Sequence, residues 1–211
     1  MTPPVKNLNF LKYPYGDCTQ WFYENPALYA SMGLKGHNGI DIVRPWGDHL
    51  YAVEDGTICA VKDTNDGYGK HVRLLSNHVD GVMRDWVYGH MSYIHVKNGQ
   101  KVRAGDYIGN IGNTGFVVSN STGNGYWEHN PYAGTHLHLG VRDVKHDADG
   151  FLYAGYDRKI RALNYDNGYK GRYDPLPLFA TPQALKWATF ADKVGKKIYW
   201  QLAQVLHAIK V

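Results

Sequence analysis

The sequence predicts a mainly β domain of antiparallel strands, followed by one long C-terminal α-helix. Three observations lead there. From about residue 37 to 145, short apolar runs rich in Val, Ile and Tyr are broken by Gly, Asn and Asp, the pattern of strands joined by tight turns. No helical stripe interrupts that region. From Thr181 onward apolar residues recur every three or four positions instead.

Taken in chain order, residues 1–35 are rich in Pro, Tyr and Asn with little periodicity, and read as an irregular arm. The β domain is expected over 36–175. Its strands are carried by "HLYAVEDGTICAVKD", "HVRLLSNHVDGVMRDWVYGH" and "KVRAGDYIGNIGNTG". Residues 116–134 form a Gly/Asn/Ser-rich loop of a length that is usually functional or disordered. Residues 145–182 read as loop. The last segment, 176–211, reads as an amphipathic helix with Thr181 as N-cap and Pro182 at the first helical position. Its stripe is Trp187, Ala191, Val194, Ile198, Leu202, Val205 and Ile209, with Gly195 weakening the middle. That stripe calls for a covering surface: the β domain, a partner chain, a membrane surface or an anionic wall polymer.

The 211 residues suffice for one domain with a sizeable core plus an appendage. The formal net charge of +4 favours approach to an anionic polymer. The Lys and Arg residues are dispersed, so nucleic-acid binding is not indicated. Cys18 and Cys59 have neither a C-x-x-C partner nor zinc-finger spacing, and are expected to be reduced and structural. "MTPPVKNLNFLKYPYGD" lacks an apolar signal core, and no stretch approaches the ~18 apolar residues of a membrane span. The expectation is synthesis in a cytoplasm, with delivery by something other than a standard signal peptide.

The chemistry is concentrated in "AGTHLHLG", residues 133–140. On a strand, His136 and His138 share one face while Leu137 and Leu139 share the other. The leucines can face a core and the histidines a groove. In "GHNGIDIV", an extended chain puts His37 and Asp41 on one face and Ile40 and Ile42 on the other. Two imidazoles and a carboxylate make a three-ligand set for a catalytic zinc, leaving one position for water. His37, Asp41 and one of the His136/His138 pair complete such a set. His90, in "DWVYGHMSYI", follows an apolar run and a glycine.

In order along the chain, "GHNGID", "GTICAV", "YGHM", "VRAGDYIGNIGNTG" and "HLHLG" together resemble the lysostaphin-type zinc metallopeptidases, over about residues 36–142. The resemblance implies an antiparallel β-sheet groove, of the duplicated-hybrid-motif type, with one zinc ion per chain at its floor. By motif position it implies His37, Asp41 and His138 as zinc ligands. His90 and His136 take the place of the pair that activates water and steadies the oxyanion. Tyr29 lies where relatives often carry an oxyanion-stabilising tyrosine. The implied substrate is the peptide cross-link of bacterial peptidoglycan, and with no signal peptide the chain resembles phage lysis or virion-associated hydrolases, released by a holin or injected with the virion. Leu139 stands where Phe is common, and the loop before "GTHLHLG" is longer than usual. Two rivals are a non-catalytic wall-binding or scaffold protein on the same fold and a two-His-one-carboxylate iron enzyme. The first is disfavoured because all five motif positions are filled, the second because its H-x-D/E spacing is absent.

Overall fold

The computed structural model describes residues 1–13, 16–77, 79–117 and 132–179. Contacts divide the chain into two units, Met1–Pro175 and Leu176–Val211. In the first unit the strands are Cys18–Gln20 (β1), Ile40–Ile42 (β2), His49–Tyr51 (β3), Gly56–Lys62 (β4), His71–Ser76 (β5), Val82–Gly89 (β6), Met91–Ile94 (β7), Lys101–Val102 (β8), Tyr107–Ile111 (β9), Leu137–Phe151 (β10), Ile160–Ala162 (β11) and Arg172–Tyr173 (β12). The larger sheet runs β1-β2-β10-β6-β5-β4-β8, with β11 and β12 also pairing β10; a smaller sheet runs β3-β9-β7. All pairings between these strands are antiparallel.

The expected alternation holds where it positions the site. Ile40, Ile42, Leu137 and Leu139 are fully buried, so one face of β2 and β10 is core. The register sets Leu137 opposite Ile42, His138 opposite Asp41 and Leu139 opposite Ile40. β10 is flanked on its other edge by β6, with His138 opposite Gly89.

Two sequence expectations are corrected. Residues 145–182 are not all loop: β10 continues to Phe151, β11 turns back on it, and β12 pairs Val141 and Arg142. The apolar signal there is thin because the arm is largely solvent-facing and charged. Arg161 on β11, for example, is paired with Asp147 of β10 rather than buried. Within the 1–35 arm, β1 lies antiparallel on β2, and Pro26–Tyr29 form a short helix, α1. Elements of three and four residues are too short to show a period. The long helix expected over 176–211 lies outside the described residues apart from Leu176–Phe179, a single helical turn (α2). The 116–134 loop likewise lies outside them from 118 to 131. Among the described residues no helix is long and apolar enough to cross a membrane. Both cysteines are free and buried, and burial pushes the Cys18 thiol up to about 12.

Further along β6 and β10, on the face that carries His138, the sheet buries a charge cluster. Arg73 Nε and Nη2 donate to the two Asp85 carboxylate oxygens at 3.0 and 2.8 Å. Arg142, directly across the β10–β6 ladder from Asp85, donates from Nε at 2.8 Å, and the Tyr153 hydroxyl donates at 2.9 Å. Asp85 is wholly buried. Burial by itself would raise its pKa, but Arg73 and Arg142 outweigh that and hold the carboxyl well below the usual carboxylate range. Replacing Asp85 by Ala strands two guanidinium groups, one buried and one half-buried. The Asp85→Ala variant is expected to lose about 3–5 kcal/mol in urea unfolding. Because the folded pKa is depressed, the carboxylate's contribution is present above its unfolded pKa of ~3.9 and fades only as pH falls below that. The loss should therefore be flat between pH 5 and 8; a loss that vanishes in that range would show the cluster is not what holds these strands.

Candidate metal centre

His37 precedes β2 in irregular chain that is pinned at both ends of its own peptide unit. Its N–H donates to the Glu24 carbonyl at 2.8 Å, and its carbonyl accepts from Tyr23 N–H at 2.8 Å. Gly39, two residues on, has to be glycine. A β-carbon there would sit 2.6 Å from the Leu139 carbonyl oxygen and 2.7 Å from the His138 ring. The absence of that atom lets β10 close on β2 with His138 over Asp41.

The result is a triangle of donor atoms. His37 Nε2 lies 3.0 Å from His138 Nδ1 and 3.1 Å from Asp41 Oδ1, and His138 Nδ1 lies 3.1 Å from Asp41 Oδ1. All three residues are buried, and these three offer one ligand atom each to a common point. The protonation pattern shows what the triangle lacks. His37 Nδ1 is 3.1 Å from the Trp21 carbonyl, which can only accept, so Nδ1 carries the proton and Nε2 presents a lone pair. Asp41 Oδ1 presents another. With His138 neutral, three mutually touching acceptor atoms share at most one proton, and a cation resolves that repulsion. Ligands at ~2.0–2.1 Å from a tetrahedral ion lie roughly 3.3 Å from one another, close to the spacing here. Two imidazoles and a carboxylate fit a borderline divalent ion.

Burial and charge keep Asp41 and His138 deprotonated. Burial works to raise the Asp41 pKa, but the imidazoles of His37 and His136 and the hydrogen bond with His138 outweigh it, and the carboxyl stays well below its usual range. Burial pushes His138 down to about 4 against the pull of Asp41. His138 Nε2 is buried without a hydrogen-bond partner.

The other two histidines stand beside this triangle, and their rings are 4.6 Å apart. His90 Nδ1 donates to the Thr114 carbonyl at 2.8 Å and His136 Nδ1 to the Gly134 carbonyl at 2.7 Å. In both rings Nε2 is therefore left unprotonated. His136 Nε2 is 3.7 Å from Asp41 Oδ2. His90 takes a positive φ of 62°, the bend that carries β6 into β7. Burial first, then the neighbouring His136 and His138, push its pKa down to about 3. Tyr29 ends α1 and stacks on His37, rings 5.3 Å apart, with its hydroxyl donating to Gln20 Oε1 at 3.2 Å. All six residues singled out in the sequence thus meet in one place.

Several participants carried no motif. The anchoring carbonyls of Trp21, Thr114 and Gly134 act through backbone, which residue type does not encode. Tyr68 packs its ring 5.0 Å from His138 and accepts from Asn38 Nδ2 at 3.2 Å. The paired glycines around it in "DGYGK", both at positive φ, were the available signal. A cleft of about 640 Å³ opens from Asp41 and His136 and runs between β1 and the turn bearing Arg44 and Trp46.

Residues 35–150 match the model of peptidase family M23. The chain is 32% identical over 148 residues to the glycyl-glycine endopeptidase ALE-1 of Staphylococcus capitis, covering 66% of this chain and 36% of that protein. It is 38% identical over 90 residues to lysostaphin of Staphylococcus simulans, covering 42% of this chain and 18% of that protein. The solved catalytic domain of lysostaphin from Staphylococcus simulans aligns at 24% identity over 68% of this chain and 79% of that one, with a TM-score of 0.45. The chain thus spans about a third or less of the length of these two curated relatives.

His37→Ala, Asp41→Ala and His138→Ala are each expected to abolish stoichiometric binding of a divalent ion in elemental analysis, while His136→Ala retains it. Loss from His136→Ala with retention in His138→Ala would reverse the two roles. The metal-free protein carries a second signature. His90 and His138 have folded pKa values depressed below the unfolded ~6.5. The unfolded chain then binds more protons than the native one, so stability is full above about pH 6.5 and declines as pH falls from there towards 4. Urea midpoints of chelator-treated protein between pH 4 and 8 read this directly.

Proposed function

The chain belongs to peptidase family M23, and from that membership we propose that it is a zinc metalloendopeptidase that hydrolyses peptide cross-links of bacterial peptidoglycan. The observation that carries the reading is the donor triangle with two imidazole Nε2 atoms beside it. That pairing supplies both a place for a Lewis acid and groups to move a proton. The relatives named above as a glycyl-glycine endopeptidase and lysostaphin support the substrate class.

His37 Nε2, Asp41 Oδ1 and His138 Nδ1 would hold the zinc, which when bound polarises the scissile carbonyl and acidifies water. The remaining chemistry falls to the chain's own side chains, since no H-E-x-x-H glutamate is present. His136 Nε2 faces the centre with its Nδ1 proton fixed on Gly134, so it can accept a proton from water and pass it to the leaving amine. Burial pushes the conjugate acid of His90 down to about 3. The ring stays neutral at working pH and serves as a fixed acceptor that orients water or the amide. The Tyr29 hydroxyl, whose pKa burial raises, keeps its proton and would have to turn from Gln20 Oε1 to donate it to a developing oxyanion.

Purified protein is expected to carry one zinc per chain and to solubilise isolated peptidoglycan, with mass spectrometry of the fragments identifying the bond cut. His136→Ala and His90→Ala should keep the zinc and lose ~10²–10⁴-fold in turnover. Undiminished lysis by rigorously metal-free protein would sink the reading. Iron in place of zinc with dioxygen-dependent turnover would favour the oxygenase type of site, and binding to walls without any cleavage the non-catalytic one.

A further inference from the structure

Three of the site's four histidines have a ring nitrogen anchored on a backbone carbonyl, and His138 does not. With Nδ1 turned to a metal, its proton sits on Nε2, and that atom is buried with no hydrogen-bond partner. Metal-bound histidines ordinarily donate their second N–H to an acceptor that fixes the ring. Packing has to fix this one. Part of the confinement is the backbone at Gly39, where a β-carbon would stand 2.7 Å from the ring. Another part is Tyr68, whose ring lies 5.0 Å from that of His138 and at 33° to it. Gly89 makes room for the contact, since a β-carbon there would stand 3.2 Å from Tyr68 and 3.3 Å from His138.

Tyr68 is itself held at three points. Its carbonyl accepts from His90 N–H at 2.8 Å. Its hydroxyl accepts from Asn38 Nδ2 at 3.2 Å, and Asn38 adjoins the ligand His37 in the chain. The Arg172 guanidinium lies over its ring, 5.8 Å from the centroid. Arg172 stands on β12 opposite Arg142 of β10, and it passes Gly140, where a β-carbon would be 2.9 Å from Nη1. The turn before it is stapled by Asn167, whose Oδ1 accepts from Tyr169 and Gly171 N–H and whose Nδ2 donates to the Arg172 carbonyl.

Arg172 is buried at a cost. Its side chain makes no ion pair among the described residues, it is 4% exposed, and Nη1 has no hydrogen-bond partner. A buried guanidinium without a bonded carboxylate is destabilising. Asp85 acts on it through space, but its oxygens accept from Arg73, Arg142 and Tyr153 instead. What Arg172 gains is the face of Tyr68, and attraction between a cation and a ring is strongest where water is excluded.

Resting on the zinc-site reading above, we propose that Tyr68 is a positioning residue for the metal centre and that Arg172 clamps it in place. The stacked ring substitutes for the missing hydrogen-bond acceptor and keeps His138 Nδ1 aimed at His37 Nε2 and Asp41 Oδ1 before any ion arrives. Through its carbonyl the same residue fixes the backbone of His90, so a metal ligand and a proton-handling histidine are aligned on one side chain and its own peptide unit.

The test measures zinc dissociation constants by competition with a chromogenic chelator, on the full chain carrying Tyr68→Phe, Tyr68→Leu or Arg172→Met. Tyr68→Phe keeps the stacking ring and loses the Asn38 bond, and is expected to bind zinc within about twofold of wild type. Tyr68→Leu is expected to bind about tenfold or more weakly, and Arg172→Met about fivefold or more weakly. Asp85→Ala is the comparator: it loosens the sheet without touching His138 and should stay within about twofold. Proton NMR of the metal-free protein gives a reading that needs neither ion nor turnover. The His138 ring should show one set of lines in wild type and Tyr68→Phe, and broadened or multiple lines in Tyr68→Leu and Arg172→Met. Wild-type affinity and lines in Tyr68→Leu or Arg172→Met, a loss in Tyr68→Phe equal to that in Tyr68→Leu, or an equal loss in Asp85→Ala overturns the clamp. Should Tyr68→Leu fail to fold, Arg172→Met, altered on a separate strand, decides. Wild-type protein that binds no divalent ion defeats the zinc reading, and the ring lines then decide the clamp alone.

Discussion

The site depends on one register: β2 against β10, with Asp41 directly across from His138. A slip of one residue would turn His138 into the core and bring Leu137 or Leu139 to the metal face. The core contacts on the buried face make that slip prohibitive, because the fully buried Leu137 and Leu139 would be driven out together from against Ile40 and Ile42. The hydrophobic pattern and the ligand geometry are therefore one constraint seen from two sides. Gly39 belongs to the same constraint, since any side chain there would hold the two strands apart.

Much of this was legible in the residues. Alternation in "HLHLG" and "GIDI" separated core from groove, and the ordered motifs named the family type before any coordinates. What stayed hidden did so for physical reasons. β1 and α1 are too short to carry a period, and the β10–β11 arm is too charged and solvent-facing to look like a strand. The Arg44–Trp46 wall of the cleft has no motif because its role comes from being opposite β1 in space, not from local spacing.

The buried Arg73–Asp85–Arg142 cluster shows why polar residues inside a β sheet need not mark a site. Asp85 is as buried as any core aliphatic residue and has a strongly lowered pKa, two features that often flag function. Yet its oxygens accept from two arginines and a tyrosine, leaving little capacity for a ligand. Asp41 differs in kind. Its oxygen Oδ1 meets two ring nitrogens, at least one of which has no proton to give. Satisfied charge reads as structure, and crowded lone pairs read as a place for a cation.

The same accounting explains how four histidines of identical chemistry divide their labour. His37, His90 and His136 each donate Nδ1–H to a backbone carbonyl, of Trp21, Thr114 and Gly134 respectively. A carbonyl cannot donate, so each of these rings has its tautomer set and its Nε2 lone pair free. His138 has no such anchor and points Nδ1 itself at Asp41. Whether a free Nε2 becomes a ligand or a base then depends only on where the backbone aims it. At His37 it enters the triangle, 3.1 Å from Asp41 Oδ1. At His136 it stands 3.7 Å from Asp41 Oδ2, beside the triangle and at the mouth of the cleft. Side-chain type confers the capacity to bind metal or move a proton, and the backbone, which no sequence motif records, fixes through its carbonyls which ring nitrogen each of these histidines can offer and where it is offered.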